Sequence, residues 1–285
     1  MDPKFWQQLQ TIDRRWIYAL LIVFILIPLF DRKFNVPIIP SKQSQDFYDT
    51  MSQVPPGGMV IIDGWWSPGT RGENQWQTQA VLLHVMRRHL RFAILSFDPQ
   101  NNTLVQSIVN NLGPKYGYLE GRDYVNFGYK PQSVFSQTVQ AMATNIPGTL
   151  KKDRHGTPLA GMPVMKGINS IQDISAVVEV TPSASAETWL GLGGLRQGPK
   201  PVPFLLATTA VGAPTYYPYL DSGQIAGMLT GVKGAGDYEF LLGTSANGTR
   251  ATSALSLVYA LIIGLIAIGN IGYFAGRAAE RRAAR

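Results

Sequence analysis

Two long apolar runs, one near each end of the chain, constrain the fold more than any other feature. The runs cover residues 16–31 and 253–275, and basic side chains flank both. Runs of this length and composition are typical of membrane-spanning helices. Between them the composition is that of an ordinary globular domain. We therefore expect one folded domain that is tethered to a lipid bilayer at both ends.

The apolar runs and the Pro- and Gly-rich stretches divide the chain into predicted segments. The expected order is a cytoplasmic tail that can form an amphipathic helix, a first span, a linker, the α/β domain, a second linker, a second span and a basic cytoplasmic tail. These segments cover residues 1–15, 16–31, 32–58, 59–242, 243–252, 253–275 and 276–285, in that order.

Basic residues beside the spans predict the topology. Arg14 and Arg15 precede the first span, and four arginines lie within 276–285. Segments rich in Lys and Arg stay in the cytoplasm, so we expect both termini inside and the domain on the periplasmic or extracellular side of the cytoplasmic membrane. Arg32 and Lys33 favour the opposite orientation of the first span. The residues after this span lack an Ala-x-Ala cleavage pattern, which favours an uncleaved anchor over a signal peptide.

The net charge of +7 lies mostly near the two ends of the chain. Nucleic-acid binding requires a basic footprint on a folded face, so nucleic acid is not an expected partner. The chain has no cysteine, which excludes disulfides, thiolate zinc sites and cysteine-ligated iron–sulfur clusters.

Short apolar runs alternate with helical patterns throughout the central segment. Strands are predicted at 59–63, 92–97, 123–127, 174–180 and 204–209, and helices at 73–91, 102–112, 131–145 and 219–242. This alternation is typical of right-handed βαβ units. We predict a single Rossmann-like or flavodoxin-like α/β domain with a mostly parallel sheet of about five strands.

Ligands of such folds bind beyond the carboxyl ends of the strands. The residues at these positions form the candidate ligand pocket, namely Asp63, Trp65, Trp66, Ser67, Asp98, Lys130, Thr181 and Thr208. In the alternative interpretation the two aspartates are helix caps or turn residues, and the paired tryptophans cover the core.

Motifs for known chemistry are largely missing. The first predicted strand is followed by Gly64-Trp-Trp-Ser-Pro-Gly69 rather than G-x-G-x-x-G, and there is no G-x-S-x-G elbow. His84 and His89 lie about 140° apart around a helix, which is unsuitable for chelating one ion. We therefore expect no cofactor, no metal and no catalytic residue, and histidines that are solvated at the surface.

An enzymatic interpretation stays open on one condition. Asp63, Asp98 or Glu179 would have to converge with the glycine-rich loop that carries Asp153 and His155.

Small residues recur every four positions in the predicted helix 219–242, at Gly223, Gly227, Gly231 and Ala235. Each helical Gly costs about 1 kcal/mol relative to Ala, so such a row suggests that a backbone must approach another surface closely. The partner is either the sheet of the same domain or a neighbouring subunit.

The second apolar run has a similar pattern. Small-xxx-small spacing and a polar side chain in apolar surroundings both favour helix association within a membrane. We expect an interface with other membrane protein subunits, or with copies of this chain, at Ser256, Ala260, Gly264, Asn270, Gly272 and Gly276.

The layout, together with the opening strand Pro55-Pro-Gly-Gly-Met-Val-Ile-Ile-Asp63, resembles the extracytoplasmic auxiliary proteins of gliding-type ABC transport systems. In these proteins an α/β domain is held between an N-terminal and a C-terminal span. The resemblance implies a non-catalytic partner of a transport or envelope machine and carries over no functional residue.

Three functions are compatible with these features. The first is a structural or accessory subunit of a membrane complex. The second is an extracytoplasmic ligand-binding or sensing domain, and the third is an extracytoplasmic hydrolase of unrecognised type.

Overall fold

The computed structural model describes residues 13–30, 36–191, 195 and 201–283. Two compact units are present. The larger unit covers residues 38–248, and the smaller one combines the chain up to residue 37 with the chain from residue 249 onward.

The larger unit is built on a sheet of six strands, all parallel, in the order β3-β2-β1-β4-β5-β6. This is one strand more than the expected five. The strands are Met59–Gly64, Arg91–Ser96, Tyr124–Tyr129, Ala176–Thr181, Phe204–Thr208 and Gly227–Thr230, numbered β1 to β6. The strand order reverses between β1 and β4, which is the position where Rossmann-like sheets open a crevice for ligands.

Helices connect the strands and cover both faces of the sheet. The first two helices among the described residues are α1 (Arg14–Phe30) and α2 (Lys42–Ser52), and the helices of the domain are α3 (Arg71–Arg87), α4 (Pro99–Tyr116), α5 (Phe135–Met142), α6 (Ile146–Leu150), α7 (Ala186–Gly191), α8 (Ala213–Asp221) and α9 (Gly231–Leu241). The last helix is α10 (Asn247–Ala283). Alternate residues of each strand enter two separate cores. Ile61 and Val177 lie in one, whereas Val60 and Val178 lie in the other.

The sixth strand corrects the prediction of a single helix over 219–242. The chain there forms the end of α8, a turn at Gly223 with φ of +71°, the strand β6 and then α9. Helical periodicity was the wrong interpretation, because a buried four-residue strand is too short to show a pattern of its own. It becomes a strand by pairing with β5.

Gly227 in β6 allows α2 to pack directly on the sheet. A Cβ atom at this position would lie 2.3 Å from the backbone nitrogen of Phe47 in α2. The close approach of backbones that the glycine spacing suggested therefore occurs at Gly227 within the domain.

Helix α9 binds both ends of the larger unit. Asp237 Oδ2 accepts a hydrogen bond of 3.0 Å from the backbone amide of Ser41. The carboxylate of Glu239 accepts bonds of 2.9 and 3.0 Å from the amides of Ala246 and Gly248, where α10 begins. The points at which the chain enters and leaves this unit are thus fixed to one helix.

The smaller unit contains α1 and nearly all of α10. Within the described residues, only Asn247–Ala278 is long and apolar enough to cross a membrane, judged by length and composition. Helix α1 covers the expected first span but has only 17 residues, with Pro28 inside it. A C-terminal apolar helix is therefore present, and the expected first span at residues 16–31 remains a prediction.

Candidate functional site

Two acidic side chains lie next to each other at the switch point of the sheet. Asp63 of β1 is in register with Glu179 of β4, and both side chains are 0% exposed. Register partners on neighbouring parallel strands point to the same face, so the two carboxyl groups share one buried environment.

The donors to this pair are neutral groups. Asp63 Oδ2 accepts hydrogen bonds from the indole nitrogens of Trp189 at 2.8 Å and Trp65 at 3.2 Å. Glu179 Oε1 accepts one from the hydroxyl of Ser185. The two remaining oxygens, Asp63 Oδ1 and Glu179 Oε2, are buried without a hydrogen-bond partner.

Burial perturbs both acids strongly. It raises the pKa of Asp63 from 3.8 to about 7, and the two indole hydrogen bonds only partly oppose this effect. The pKa of Glu179 lies well above its usual value, first because of burial and then because of the negative charge on Asp63. Two adjacent buried carboxyl groups cannot both ionise readily, so the pair retains a proton near neutral pH.

A network of hydroxyl groups covers the pair. Thr181 Oγ1 lies 3.0 Å from the hydroxyl of Ser183 and 2.8 Å from that of Ser185. Tyr216 of α8 donates to the backbone oxygen of Ser183 at 2.5 Å. The fully buried indole of Trp189 comes from α7. Residues 185–191, which supply Ser185 and Trp189, are called the α7 segment below.

The paired tryptophans of the candidate pocket are separated by the sheet. Trp65 packs on the same face as the acidic pair, with ring centroids 5.5 Å from Phe97 and 4.5 Å from Phe135. Trp66 is fully buried in the other core, where its backbone oxygen accepts a hydrogen bond from Asn101. They do not form one stacking platform.

The other pocket candidates are spread along the carboxyl edge of the sheet. Asp98 is the N-cap of α4, and its Oδ1 accepts the amide of Asn101 at 2.7 Å. Lys130 and Ser67 are half-buried. The hydroxyl of Thr208 is buried without a partner. Of the eight candidates, Asp63, Trp65 and Thr181 belong to the network around the acidic pair.

Sequence reasoning named Glu179 only within the enzymatic alternative, and it missed Ser185, Trp189 and Tyr216. A signal existed for Glu179, since it is the one charged residue in the apolar run from Ile174 to Val180. The other three residues follow strands at variable distances and carry no local pattern.

The loop of Asp153 and His155 does not converge with the acidic pair. Arg154 pairs with Glu120 at 2.9 Å, and His155 Nε2 lies 3.6 Å from the same carboxylate. The amide of Arg154 bonds to Asn126 in β3, a strand two places away from β1. Asp63 and Glu179 therefore do not meet the condition for the enzymatic interpretation.

His84 corrects the expectation of solvated histidines. It is buried, its Nδ1 lies 2.7 Å from the hydroxyl of Tyr238, and its ring stacks on Tyr48 with centroids 5.0 Å apart. Burial, followed by the positive charges of Arg88 and Arg87, lowers its pKa from 6.5 to about 4.

The interface candidates divide into two groups. Gly223 lies in a turn, Gly227 in β6, Gly231 at the start of α9 and Ala235 inside α9, so they do not form one helical row. The candidates of the second apolar run all lie on α10, namely Ser256, Ala260, Gly264, Asn270, Gly272 and Gly276. Their role as an interface stays a prediction.

Comparison with known proteins gives no relative, since no family model, no curated protein and no solved structure matches the chain significantly. Among the described residues, no group of three or more His, Asp or Glu side chains is placed to hold a metal ion.

Proposed function

We propose that the protein is a membrane-anchored, non-catalytic accessory subunit of a membrane protein complex. The observation that supports this function is α10, whose most apolar window is only 6% buried. Its exposed side chains include Ile262, Ile263, Ile266, Ile271 and Phe274. A continuous apolar surface of this kind requires lipid or another protein as its surroundings.

A second anchor formed by α1 extends the proposal. Seventeen residues rise about 26 Å, slightly less than the hydrocarbon core of about 30 Å. Arg14 and Arg15 at its start can extend to the headgroups. In this arrangement both termini are cytoplasmic, and the α/β domain lies on the periplasmic or extracellular side. Attachment of Ser41 and of residues 246–248 to the same helix of the domain is consistent with two anchors.

The closed acidic pair supports an accessory function over catalysis. Asp63 and Glu179 are 0% exposed, and one oxygen of each accepts a hydrogen bond from Trp189 or Ser185. A substrate cannot contact either carboxylate while the α7 segment is in place.

Site-directed labelling tests the topology cleanly, because the chain contains no cysteine. Single cysteines replacing Ser245 and Ala284 should react with a membrane-impermeant thiol reagent from opposite sides of the membrane. Labelling of both positions from the same side would contradict the two-span arrangement.

The mass of the complex in mild detergent, with its co-purifying proteins identified, tests the accessory function. Gly264→Leu and Gly227→Leu form a matched pair of variants. A Cβ atom at Gly264 has open space within 4 Å, whereas one at Gly227 collides with Phe47. We expect Gly264→Leu to reduce the mass of the complex at unchanged melting temperature. Gly227→Leu should lower the melting temperature and leave the stoichiometry of folded protein unchanged.

A monomer without companion proteins, or no effect of Gly264→Leu on assembly, would count against the proposal.

A ligand-sensing domain is the second candidate function, and it is favoured by the acidic pair at the switch point. That candidate leads to the inference below.

A further inference from the structure

Unpaired buried polar atoms concentrate at one edge of the domain. Among the described residues, nine buried side-chain nitrogen or oxygen atoms have no hydrogen-bond partner. All but Arg250 Nε lie at the carboxyl ends of strands or in the loop and first helical turn that follow. Such atoms in a folded protein require an explanation. The carboxylate oxygens Asp63 Oδ1 and Glu179 Oε2 are the most costly of them, because an unpaired buried charge is far less favourable than an unpaired dipole.

A proton is the smallest group that can remove the unfavourable free energy of these two unpaired oxygens. Each carboxyl group already uses its other oxygen for neutral donors, and the two unpaired oxygens belong to register partners on adjacent strands. A hydrogen atom between them would be covalently bound to one oxygen, which would then donate a hydrogen bond to the other oxygen. A single proton shared between the two oxygens would satisfy both atoms.

We propose that Asp63 and Glu179 form a one-proton site between Oδ1 and Oε2, and that the α7 segment is a lid that opens when this proton is lost. The lid assignment follows from the contacts of the segment. Trp189 and Ser185 both belong to it, and they donate hydrogen bonds to Asp63 and to Glu179, respectively. No other described segment donates to both carboxyl groups.

The surroundings favour a proton over a larger cation. The polar contacts of the pair are two indoles and a hydroxyl, and both side chains are fully buried. Tyr216 of α8 interacts electrostatically with Glu179, and it also interacts with Tyr219 of α8 and Glu187 of α7. The hydroxyl of Tyr216 points at the backbone oxygen of Ser183. None of these titratable groups supplies a positive charge.

Loss of the proton to solvent leaves two negative charges side by side in a dry environment. Their repulsion and desolvation oppose the closed state. Opening of the α7 segment would admit water to both carboxylates and relieve this cost. The site would then respond to external pH, as expected of a sensing domain outside the cytoplasm. The inference does not depend on membrane anchoring, so either proposal can fail alone.

Amide hydrogen exchange of Ala186–Gly191 in the full-length protein tests the lid. After correction for the intrinsic pH dependence of exchange, protection should fall by up to about tenfold per pH unit once opening is linked to loss of one proton. In Glu179→Gln, the amide nitrogen can donate to Asp63 Oδ1 and the shared proton is no longer needed. Protection in this variant should be independent of pH.

Asp98→Asn is the matched control, because Asp98 lies at the same edge of the sheet but caps α4. It should retain the pH dependence of the wild type. Infrared spectroscopy provides a direct signal of the proton. The wild type should show a protonated carboxyl band at neutral pH that disappears on alkaline titration, and Glu179→Gln should lack it.

Two results would overturn the proposal. One is protection of the α7 segment that is independent of pH in the wild type, or equally pH-dependent in Glu179→Gln. The other is protection that changes when sodium is replaced by choline at constant pH, since a metal cation would then occupy the site. Asp63→Asn provides the same test if Glu179→Gln does not fold.

Discussion

Two buried polar sites on opposite faces of the sheet show how partner chemistry changes the consequence of burial. On one face Asp63 lies beside Glu179, and on the other His84 contacts Tyr238. Neutral His84 and the tyrosine hydroxyl complete one hydrogen bond between themselves. Two carboxylates are both acceptors, so they need a proton from outside the pair. Burial therefore creates a need for a shared proton only where two acids are placed together.

The pKa values at the two sites are also shifted in opposite directions. Burial disfavours the charged form in both, so it raises the pKa of Asp63 to about 7 and lowers that of His84 to about 4. Variants of the two sites can therefore be compared. The His84–Tyr238 pair is complete without an added proton, whereas the Asp63–Glu179 pair depends on a shared proton.

The largest expected effect on stability comes from removing one partner of the His84–Tyr238 pair. His84→Ala should reduce the free energy of unfolding by about 3 kcal/mol, because it leaves a cavity against Tyr48 and an unpaired Tyr238 hydroxyl. Urea denaturation of the detergent-solubilised protein measures this. The exposed His155→Ala is the control and should cost less than about 1 kcal/mol. Equal effects of the two substitutions would mean that burial of His84 contributes little.

Two opposing contributions to the pH dependence of stability should overlap between about pH 4 and pH 7, an acid limb from His84 and an alkaline limb from the acidic pair. The folded-state pKa of His84 is depressed from 6.5 to about 4, so its contribution is lost as the pH falls through this range, by up to about 3 kcal/mol. The folded-state pKa of Asp63 is raised from 3.8 to about 7, so its contribution is complete below pH 3.8 and is lost as the pH rises through 7.

Because the two pH ranges overlap, the limbs are separated by comparing variants with the wild type in chemical denaturation from pH 4 to pH 9. His84→Leu should flatten only the acid limb, and Glu179→Gln only the alkaline limb. A change of the acid limb alone in Glu179→Gln would refute the assignment.

A smaller effect is expected when a single donor is removed from each site. Trp189→Phe keeps the aromatic packing but removes the indole donor to Asp63, which should cost about 1.5 kcal/mol at pH 5, where the α7 segment is closed, and less at pH 9, where it is open. Tyr238→Phe should cost about 1 kcal/mol, with no change between pH 7 and pH 9. A cost of Trp189→Phe that is the same at both pH values would show that Trp189 stays on Asp63 after the pair has lost its proton.

The smallest effect belongs to an acid that takes part in neither site. Asp98→Ala should cost about 1 kcal/mol, because the amide of Asn101 loses its acceptor. Asp98→Asn should restore most of this stability, since asparagine is an equally good N-cap. Both variants should keep the alkaline limb of the wild type in the same denaturation experiment. A changed limb would mean that Asp98 interacts with the acidic pair.

The comparison also shows which parts of the site were accessible to sequence reasoning. Asp63 was identified because it ends a buried strand, where ligand sites of parallel sheets lie. Its pairing with Glu179 depends on β4 adding to β1, although more than 110 residues separate the two acids. His84 was assigned to the surface because the sequence of its helix does not reveal the aromatic rings of α2 and α9 that enclose it.

The sequence by itself determined the α/β class, five of the six strands and the apolar C-terminal helix, because these depend on local hydrophobic periodicity and on chain composition. Tertiary structure alone decided that Gly227 lies in a strand under α2, that Trp65 and Trp66 separate onto two faces, and that two acids meet at the switch point. The physical reason is that strand order and register bring together residues far apart in the chain. The free energy of a buried charge depends on those neighbours rather than on its position in the sequence.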